Sequence, residues 1–258
     1  MQIAHVNGID TAYTDSGGDS QAVVLSHGFL MDHAMFDPQL SVLAPEFRVI
    51  TPDARGCGAT TAPGPFSYWD LAADVLGLLD KLGIERAVLG GMSQGGFVSL
   101  RAALLAPERV RGLALIDTQA GQEDPAFAEQ YEQLEQIWMA SGPETVQEIV
   151  ASIIIGSADW APWLAKWAAW DRDQLRLTFR CLMDRDDIIG RLHEIDCPAI
   201  ILHGTADAAI PMDRAQELRG GLAGPAELTR IDGGSHASNL SHPEQANSAL
   251  LAFLRSLA

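Results

Sequence analysis

The sequence GGMSQGG, residues 90–96, places four glycines around a single serine. The apolar run AVL precedes it and the helix-patterned run FVSLRAALLA follows it, which predicts a tight turn that joins a strand to a helix. In such a turn, side chains two positions either side of the serine would collide, and glycine at Gly91 and Gly95 removes those collisions. The stretch therefore predicts that Ser93 is presented at the start of a helix, although an incidental serine in a flexible turn fits these residues about equally well.

The composition is that of a globular protein with a large core, since 47% of the 258 residues are hydrophobic and 20% are charged. A formal net charge of −17 argues against nucleic acid as a partner and against anionic membrane surfaces. No apolar run reaches the roughly 18 residues of a membrane-spanning helix, and MQIAHVNGID lacks the basic and apolar regions of a secretory signal. The three cysteines are far apart, which disfavours a disulfide framework or a zinc site. We therefore expect a cytoplasmic protein without a metal site, and the sequence indicates no oligomeric state.

The predicted elements alternate strand and helix on either side of a helical segment. A hairpin that turns at Asn7 and Gly8 opens the chain, and AVVLSHG, RVITPD, AVLGG and VRGLALIDT are typical of buried strands. Residues 119–191 contain helical patterns and no strand-like run except ASIIIG, after which strands return with PAIILHG and AELTRID. This order predicts an α/β fold with a mostly parallel sheet and helices on both faces. Residues 1–118 and 192–258 would form its core, and residues 119–191 a helical lid.

A serine hydroxyl needs a base before it can act as a nucleophile, and His236 is the best placed of the seven histidines. His236 follows the strand AELTRID in the loop GGSHASN, so we expect it at the carboxyl edge of the sheet, where Ser93 also lies. A carboxylate that orients the imidazole completes such a group. Asp207 and Asp117 each follow a predicted strand, so both are candidates at that edge. The order Ser93, Asp207, His236 matches the Ser–Asp–His order of one superfamily.

A tetrahedral intermediate at Ser93 also needs two donors for its oxyanion. The backbone N–H of Gln94 directly follows the serine, and that of Phe29 follows an early strand that ends in SHGF. Both are expected at the same edge of the sheet. We therefore predict that the amides of Phe29 and Gln94 form the oxyanion hole.

Five motifs in order make the chain resemble the α/β-hydrolase superfamily, namely SHGF, DARGCGAT, GGMSQGG, HGTADAAIP and GGSHASN. Within the superfamily it is most similar to the compact esterases, enol-lactonases and cofactor-free haloperoxidases. The resemblance implies a lid inserted after the sixth strand, and Asp207 rather than Asp117 as the acid of a Ser–His–Asp triad. Gln94 departs from the methionine that many relatives have there, which leaves its backbone N–H unchanged.

These features predict a serine hydrolase that cleaves a small to medium carboxylic ester or lactone through an acyl-enzyme, with no cofactor. Alternatives that keep the triad are a perhydrolase, an acyltransferase, a hydrolase of C–C bonds, and a receptor that turns its ligand over slowly.

Met31, Met92, Trp138 and Trp163 are candidate substrate contacts beneath the lid. Several tryptophans of the segment, Trp163 among them, recur at helical spacing, which favours packing of the lid onto the core as the commoner role for any one of them. Methionine is likewise an ordinary core residue.

Overall fold

The computed structural model describes residues 1–122 and 125–257, whose backbone forms one sheet of eight strands. The strands are β1 (Gln2–Val6), β2 (Ile9–Asp15), β3 (Ala22–Ser26), β4 (Arg48–Pro52), β5 (Ala87–Met92), β6 (Val110–Ile116), β7 (Ala199–Gly204) and β8 (Ala226–Ile231). Their order across the sheet is β1-β2-β4-β3-β5-β6-β7-β8. Pairing is antiparallel between β1 and β2 and between β2 and β4, and parallel from β4 to β8. The predicted α/β fold with a mostly parallel sheet is confirmed.

The N-terminal hairpin turns at Asn7 and Gly8, whose φ angles are 47° and 80°. A primed two-residue turn requires positive φ at both central positions, which Asn and Gly tolerate best. The Asn–Gly pair therefore sets the register of β1 on β2, as predicted.

The helices of the described residues are α1 (Asp37–Leu43), α2 (Tyr68–Lys81), α3 (Gln94–Leu105), α4 (Pro125–Ser141), α5 (Gln147–Ile154), α6 (Ala161–Ala169), α7 (Arg172–Met183), α8 (Met212–Gly221), α9 (Ser238–Ser241) and α10 (Pro243–Ser256). Helix α2 packs on α3, and α1 packs on α10. A capping box between Ser67 and Asp70 fixes the start of α2.

Helices α4 to α7 lie between β6 and β7, in the segment for which the sequence predicts helices. The strand-like run ASIIIG is helical, since α5 covers most of it. The reason is the spacing of its buried residues, because Val150, Ala151 and Ile155 pack inward while Ile149 and Ile153 are exposed. The division into a core and a lid at residues 119 and 191 stays a prediction.

Asp186 ties the end of this helical segment to the core. Its carboxylate accepts hydrogen bonds from Arg101 Nη2 at 2.6 Å and from Trp69 Nε1 at 3.0 Å. The Arg101 side chain is buried and that of Asp186 is about half exposed, so a charged contact at the surface holds the helical segment on α3.

The turn between β5 and α3 has almost no space for side chains. A Cβ atom added at Gly95 would lie 1.8 Å from the carbonyl oxygen of Ser26, and one at Gly91 would lie 2.4 Å from the same oxygen. Between these glycines Ser93 adopts a φ of 51°, which is uncommon for a residue with a side chain. Its amide donates to the carbonyl of Ile116 at 2.8 Å, which joins the turn to β6. The glycines thus serve close packing, which agrees with the strained turn that the sequence predicts.

We predict that Gly95→Ala strongly destabilises the fold, because its methyl group would overlap the Ser26 carbonyl, a backbone atom that cannot move aside. Overpacking of this kind costs about 1–3 kcal/mol or more. Gly220→Ala is the matched control, since it also lies in a helix but has open space at its Cβ position. That control should be neutral or gain up to about 1 kcal/mol from helix propensity. Urea unfolding followed by circular dichroism measures both, and equal midpoints for the two variants would contradict the steric account.

Candidate active site

A cavity of about 140 Å³ lies between the carboxyl edge of the sheet and the helical segment, and both Ser93 and His236 line it. Its wall is mostly apolar, with side chains from the core loops and from α4, α5 and α7, including Phe29, Met92 and Leu134. Ser93 and His236 are 8% and 5% exposed, so the serine and the imidazole are largely shielded from bulk solvent. Low exposure beside an apolar wall strengthens polar interactions.

His236 is held by a buried carboxylate. Its Nδ1 lies 2.9 Å from Oδ2 of Asp207, and Oδ1 of Asp207 accepts from the amides of Ala209 at 2.8 Å and Ile210 at 3.0 Å. Burial alone would raise the pKa of Asp207, but the charge and hydrogen bond of His236 and the two amides outweigh it and hold that pKa below its ordinary value. Asp207 is therefore an ionised acceptor that fixes the proton of the neutral imidazole on Nδ1. The other nitrogen, Nε2, then has the lone pair that can accept a proton.

Asp117, the rival carboxylate, is completely buried at the end of β6 and has a φ of 46°. Its Oδ1 accepts from the amide of Gly204 at 2.7 Å and its Oδ2 accepts from the amide of Ser238 at 2.9 Å. Burial and the neighbouring charge of Asp207 raise the pKa of Asp117 to about 7. The carboxylate of Asp117 thus joins the end of β7 to the loop that carries His236, while Asp207 is the one that bonds the imidazole.

Phe29 lines the cavity, Gln94 directly follows Ser93, and both residues are buried. Gln94 is the first residue of α3, where helix geometry provides no acceptor for its N–H. Within the described part of the chain, neither backbone nitrogen donates a hydrogen bond to another group. Two buried, unused donors next to a serine are what an oxyanion would require. The Gln94 side chain points elsewhere, because its Oε1 accepts from the Tyr68 hydroxyl at 3.1 Å.

His27 supports the loop that contains Phe29. Its Nε2 accepts from the amide of Ala54 at 3.0 Å, so its Nδ1 donates to the carbonyl of Gly28 at 2.8 Å. Burial lowers the pKa of His27, which keeps the ring neutral and suits these two roles. This agrees with a structural role for His27.

Of the four candidate substrate contacts, Met92 lines the cavity. Met31 and Trp163 line a separate outer groove instead. Trp138 packs edge-on against Trp167 with 5.7 Å between ring centres. The structure therefore does not bring Met31, Trp138 or Trp163 into the cavity wall.

The cavity wall includes a charged residue that sequence reasoning missed. Arg185 is buried, lines the cavity, and lies over the ring of Phe97 at 4.1 Å. Its Nε donates to the carbonyl of Gly121 at 3.0 Å. In the sequence it stands within CLMDRDDIIG, among charged residues that are indistinguishable from an exposed surface. No local signal identifies it.

Two groups of His and Asp side chains in the described residues are close enough to share an ion: Asp32, His33 and Asp53, and Asp117, His203 and Asp207. In the first, Oδ1 of Asp53 accepts from the backbone N–H of His33 at 2.8 Å and lies 2.7 Å from its Nδ1. In the second, the carboxylates bond the amides and imidazole described above, and His203 Nε2 donates to the carbonyl of Ile210 at 2.9 Å.

Residues 21–156, more than half of the chain, match the family model described as the alpha/beta hydrolase fold. The chain belongs to the α/β-hydrolase family. This α/β hydrolase is 29% identical over 248 residues to a putative carbamate hydrolase RutD of Rhizobium rhizogenes, a match that covers 92% of this chain and 94% of the relative. None of its described helices is both long enough and apolar enough to cross a membrane.

Two solved structures resemble this α/β hydrolase over nearly its whole length. The enol-lactonase of Burkholderia xenovorans superposes with a TM-score of 0.89 at 28% identity, covering 98% of this chain and 100% of that one. A thermophilic esterase of Thermogutta terrifontis superposes with a TM-score of 0.88 at 26% identity, covering 100% of this chain and 99% of that one. Both lie in the branch that the sequence motifs resemble.

We predict that Asp207→Asn lowers the turnover of an aryl ester far more than Asp117→Asn does. The amide in Asp207→Asn would leave the imidazole without the charged acceptor that fixes its tautomer, a change that costs about 10⁴-fold in rate in a related triad. Asp117→Asn removes no bond to the imidazole and should cost less than about tenfold on that reasoning. Initial rates of the purified variants measure both. The reverse ranking would transfer the role of the acid to Asp117.

A second prediction concerns the stability of the Asp117 site. The folded-state pKa of about 7 lies above the value of 3.8 for an unperturbed Asp, so between these pH values the folded chain binds a proton that the unfolded chain has lost. The free energy of unfolding must therefore fall as pH rises from 4 to 7 through this group. Because Asp207 and His203 nearby also have shifted pKa values, the quantity to measure is the difference between wild type and Asp117→Asn. The free energy of unfolding of Asp117→Asn should increase relative to that of wild type as pH rises from 4 to 7. A difference that is independent of pH would contradict the raised pKa.

Proposed function

We propose that this α/β hydrolase is a serine hydrolase of small to medium carboxylic esters or lactones. The observation that carries the proposal is the 2.9 Å bond between His236 Nδ1 and the buried Asp207, with His236 and Ser93 lining one cavity. A serine, a base and an orienting acid on three loops of one sheet edge are the requirements for acyl transfer through an activated hydroxyl. The enol-lactonase and the esterase that superpose on the chain support this class of substrate.

In the proposed reaction, His236 Nε2 takes the proton of the Ser93 hydroxyl as its oxygen attacks the carbonyl carbon of the substrate. The amides of Phe29 and Gln94 donate to the oxygen that gains negative charge, and each such donor is worth about 3 kcal/mol in the transition state. The imidazolium, stabilised by Asp207, then gives its proton to the leaving alcohol as the C–O bond breaks. An acyl group is left on Ser93.

The second half of the reaction repeats these roles with water. His236 takes a proton from a water molecule, whose oxygen attacks the acyl carbon. The oxyanion again lies against the two amides, and collapse returns the proton to Ser93 and releases the carboxylic acid. Every proton transfer is carried by the side chains of the triad.

The size of the cavity limits the acyl group. Its volume of about 140 Å³ is close to the volume of about 150 Å³ of an apolar cavity in another protein, and that cavity binds benzene. A short aliphatic chain or a single ring therefore fits beside Ser93, and apolar side chains such as Phe97 and Leu134 would surround it. We propose acyl groups of this size.

A carbamate is the second candidate substrate, because the relative named above is a putative carbamate hydrolase. A carbamate presents the same carbonyl to Ser93 but gives a carbamoyl group on the serine, which is less reactive to water than an acyl group. Matched aryl acetate and aryl N-methylcarbamate with the same leaving group separate the two. We expect faster steady-state turnover of the acetate. Faster turnover of the carbamate would make carbamates, and not esters, the proposed substrate class.

We predict that Ser93→Ala abolishes ester turnover and covalent labelling by a fluorophosphonate, because the substitution removes the oxygen that attacks in the proposed mechanism. Ser99→Ala is the control, since Ser99 lies in α3, the helix that Ser93 precedes, and its hydroxyl donates to the carbonyl of Gly95 at 2.9 Å. Labelling is read by mass spectrometry and turnover by product absorbance. Full activity of Ser93→Ala would refute the mechanism, as would equal losses in the two variants.

A further inference from the structure

We propose that helix α6 positions the oxyanion hole, and that Trp167 is the positioning residue. The inference rests on the proposed function, because it concerns how the Phe29 amide is aimed at the reacting carbonyl. Trp167 is buried in α6, and its Nε1 donates to the carbonyl of Leu30 at 2.6 Å. Leu30 directly follows Phe29, so this bond crosses from the helical segment to the backbone that carries the proposed donor.

The backbone at Leu30 requires such a restraint. Its φ of 62° lies in the left-handed region, which a leucine adopts only at a cost of about 1–2 kcal/mol. A residue in this state persists where the surrounding structure over-determines its conformation. The peptide group that follows Leu30 is held at both of its polar atoms, because its carbonyl accepts from Trp167 Nε1 and its N–H, that of Met31, donates to the carbonyl of Gly28 at 3.2 Å. Release of the Leu30 carbonyl would let the backbone rotate towards negative φ and turn the preceding peptide groups.

The residue next to Trp167 makes a second contact with the same loop. Lys166 Nζ lies 2.6 Å from Oδ2 and 2.7 Å from Oδ1 of Asp32. Oδ1 of Asp32 also accepts from the amide of Ala34, which caps the short 3₁₀ helix after the loop. Two consecutive residues of α6 therefore hold the two ends of the Leu30–Asp32 segment.

The ring of Phe29 is held by the helical segment as well. It packs edge-on against Phe179 of α7 with 4.9 Å between ring centres, and against Tyr131 of α4 at 6.3 Å. The backbone bond from Trp167 and these ring contacts act on one short loop from three helices. The orientation of the Phe29 N–H thus depends on the helical segment as well as on His27, whose Nδ1 donates at 2.8 Å to the Gly28 carbonyl of the same peptide group.

An oxyanion donor works only if it lies about 2.7–3.1 Å from the oxygen as charge develops. Loss of the Trp167 bond should therefore weaken transition-state binding while substrate binding in the apolar cavity stays nearly unchanged. The expected signature is a lower kcat at a nearly constant KM. A purely structural role would lower only the melting temperature.

The test compares Trp167→Phe with Trp170→Phe in the full chain. Phenylalanine keeps an aromatic ring at each position and removes the N–H together with part of the indole. Trp170 is a matched control, because its Nε1 donates to the carbonyl of Gly56 at 2.9 Å, which is also a bond from the helical segment to a core loop but lies away from Phe29. We expect Trp167→Phe to lower kcat at least about tenfold, part of the 10²–10³-fold loss seen when a whole donor is removed. Trp170→Phe should stay within about twofold in kcat on the same scale.

The rate of fluorophosphonate labelling at Ser93 is measured in parallel, because the phosphonyl oxygen uses the same donors and no natural substrate is needed. Labelling slowed by Trp167→Phe and not by Trp170→Phe supports the proposal. Equal rates for the two variants overturn the positioning role and leave the proposed function intact. A wild-type protein without labelling at Ser93 overturns the proposed function, and the positioning role with it.

Lys166→Gln provides an independent reading if Trp167→Phe does not fold. The Lys166 side chain is 37% exposed, so its replacement leaves the core packing intact. It removes the charge that holds Asp32, and we expect a smaller fall in kcat, about threefold, with KM unchanged. Unchanged kcat in Lys166→Gln, together with an unfolded Trp167→Phe, would contradict control of the loop by α6.

Discussion

The carbonyl oxygen of Ser26 lies so close to the start of α3 that a side chain at Gly91 or Gly95 would overlap it. This contact forces the chain from β5 into α3 through a turn in which Ser93 takes a φ of 51°. Because the same turn bonds the carbonyl of Ile116, the ends of β3, β5 and β6 and the amino end of α3 meet in one small volume. The hydroxyl of Ser93, the first amide of the helix and the loop after β3 are therefore brought together by backbone packing. The chemistry proposed for the site therefore requires this backbone packing, because the packing positions the groups that react.

Two buried carboxylates at the neighbouring strand ends have different environments. Asp207 bonds an imidazole and two amides, which lower its pKa, whereas burial and the charge of Asp207 raise the pKa of Asp117 to about 7 despite its own two amide donors. Two carboxylates this close do not both ionise readily, so the charge resides on the one that faces His236. Asp117 then serves the architecture, since its oxygens join β7 to the loop of His236. The negative charge of Asp207 therefore lies beside His236, where an imidazolium would form.

The sequence predicted that Ser93, His236 and two candidate carboxylates, Asp207 and Asp117, lie at one edge, because a parallel sheet delivers the residue after each strand to the same edge. The choice of Asp207 over Asp117 came from the family resemblance. The helical insertion was predicted from its periodicity, but the run ASIIIG was ambiguous, since a short apolar run fits a strand or a helix until its buried face is known. The sequence did not predict which way the side chains of the inserted helices point. The pattern gave no means to distinguish Trp167, which bonds the Leu30 carbonyl, from Trp163, which lines an outer groove. Such contacts depend on how the helices cross the core, and spacing along the chain does not encode that.

The central claim is that an acyl group passes through Ser93, with His236 and Asp207 as base and acid. Acid quenching during the first turnovers of an activated aryl ester, followed by peptide mapping, tests it most directly. The account predicts a burst of about one product per protein, typical of an accumulating acyl-enzyme, and an acyl mass on the peptide that contains Ser93. Steady turnover with no burst and no adduct, or an adduct on another residue, would contradict it.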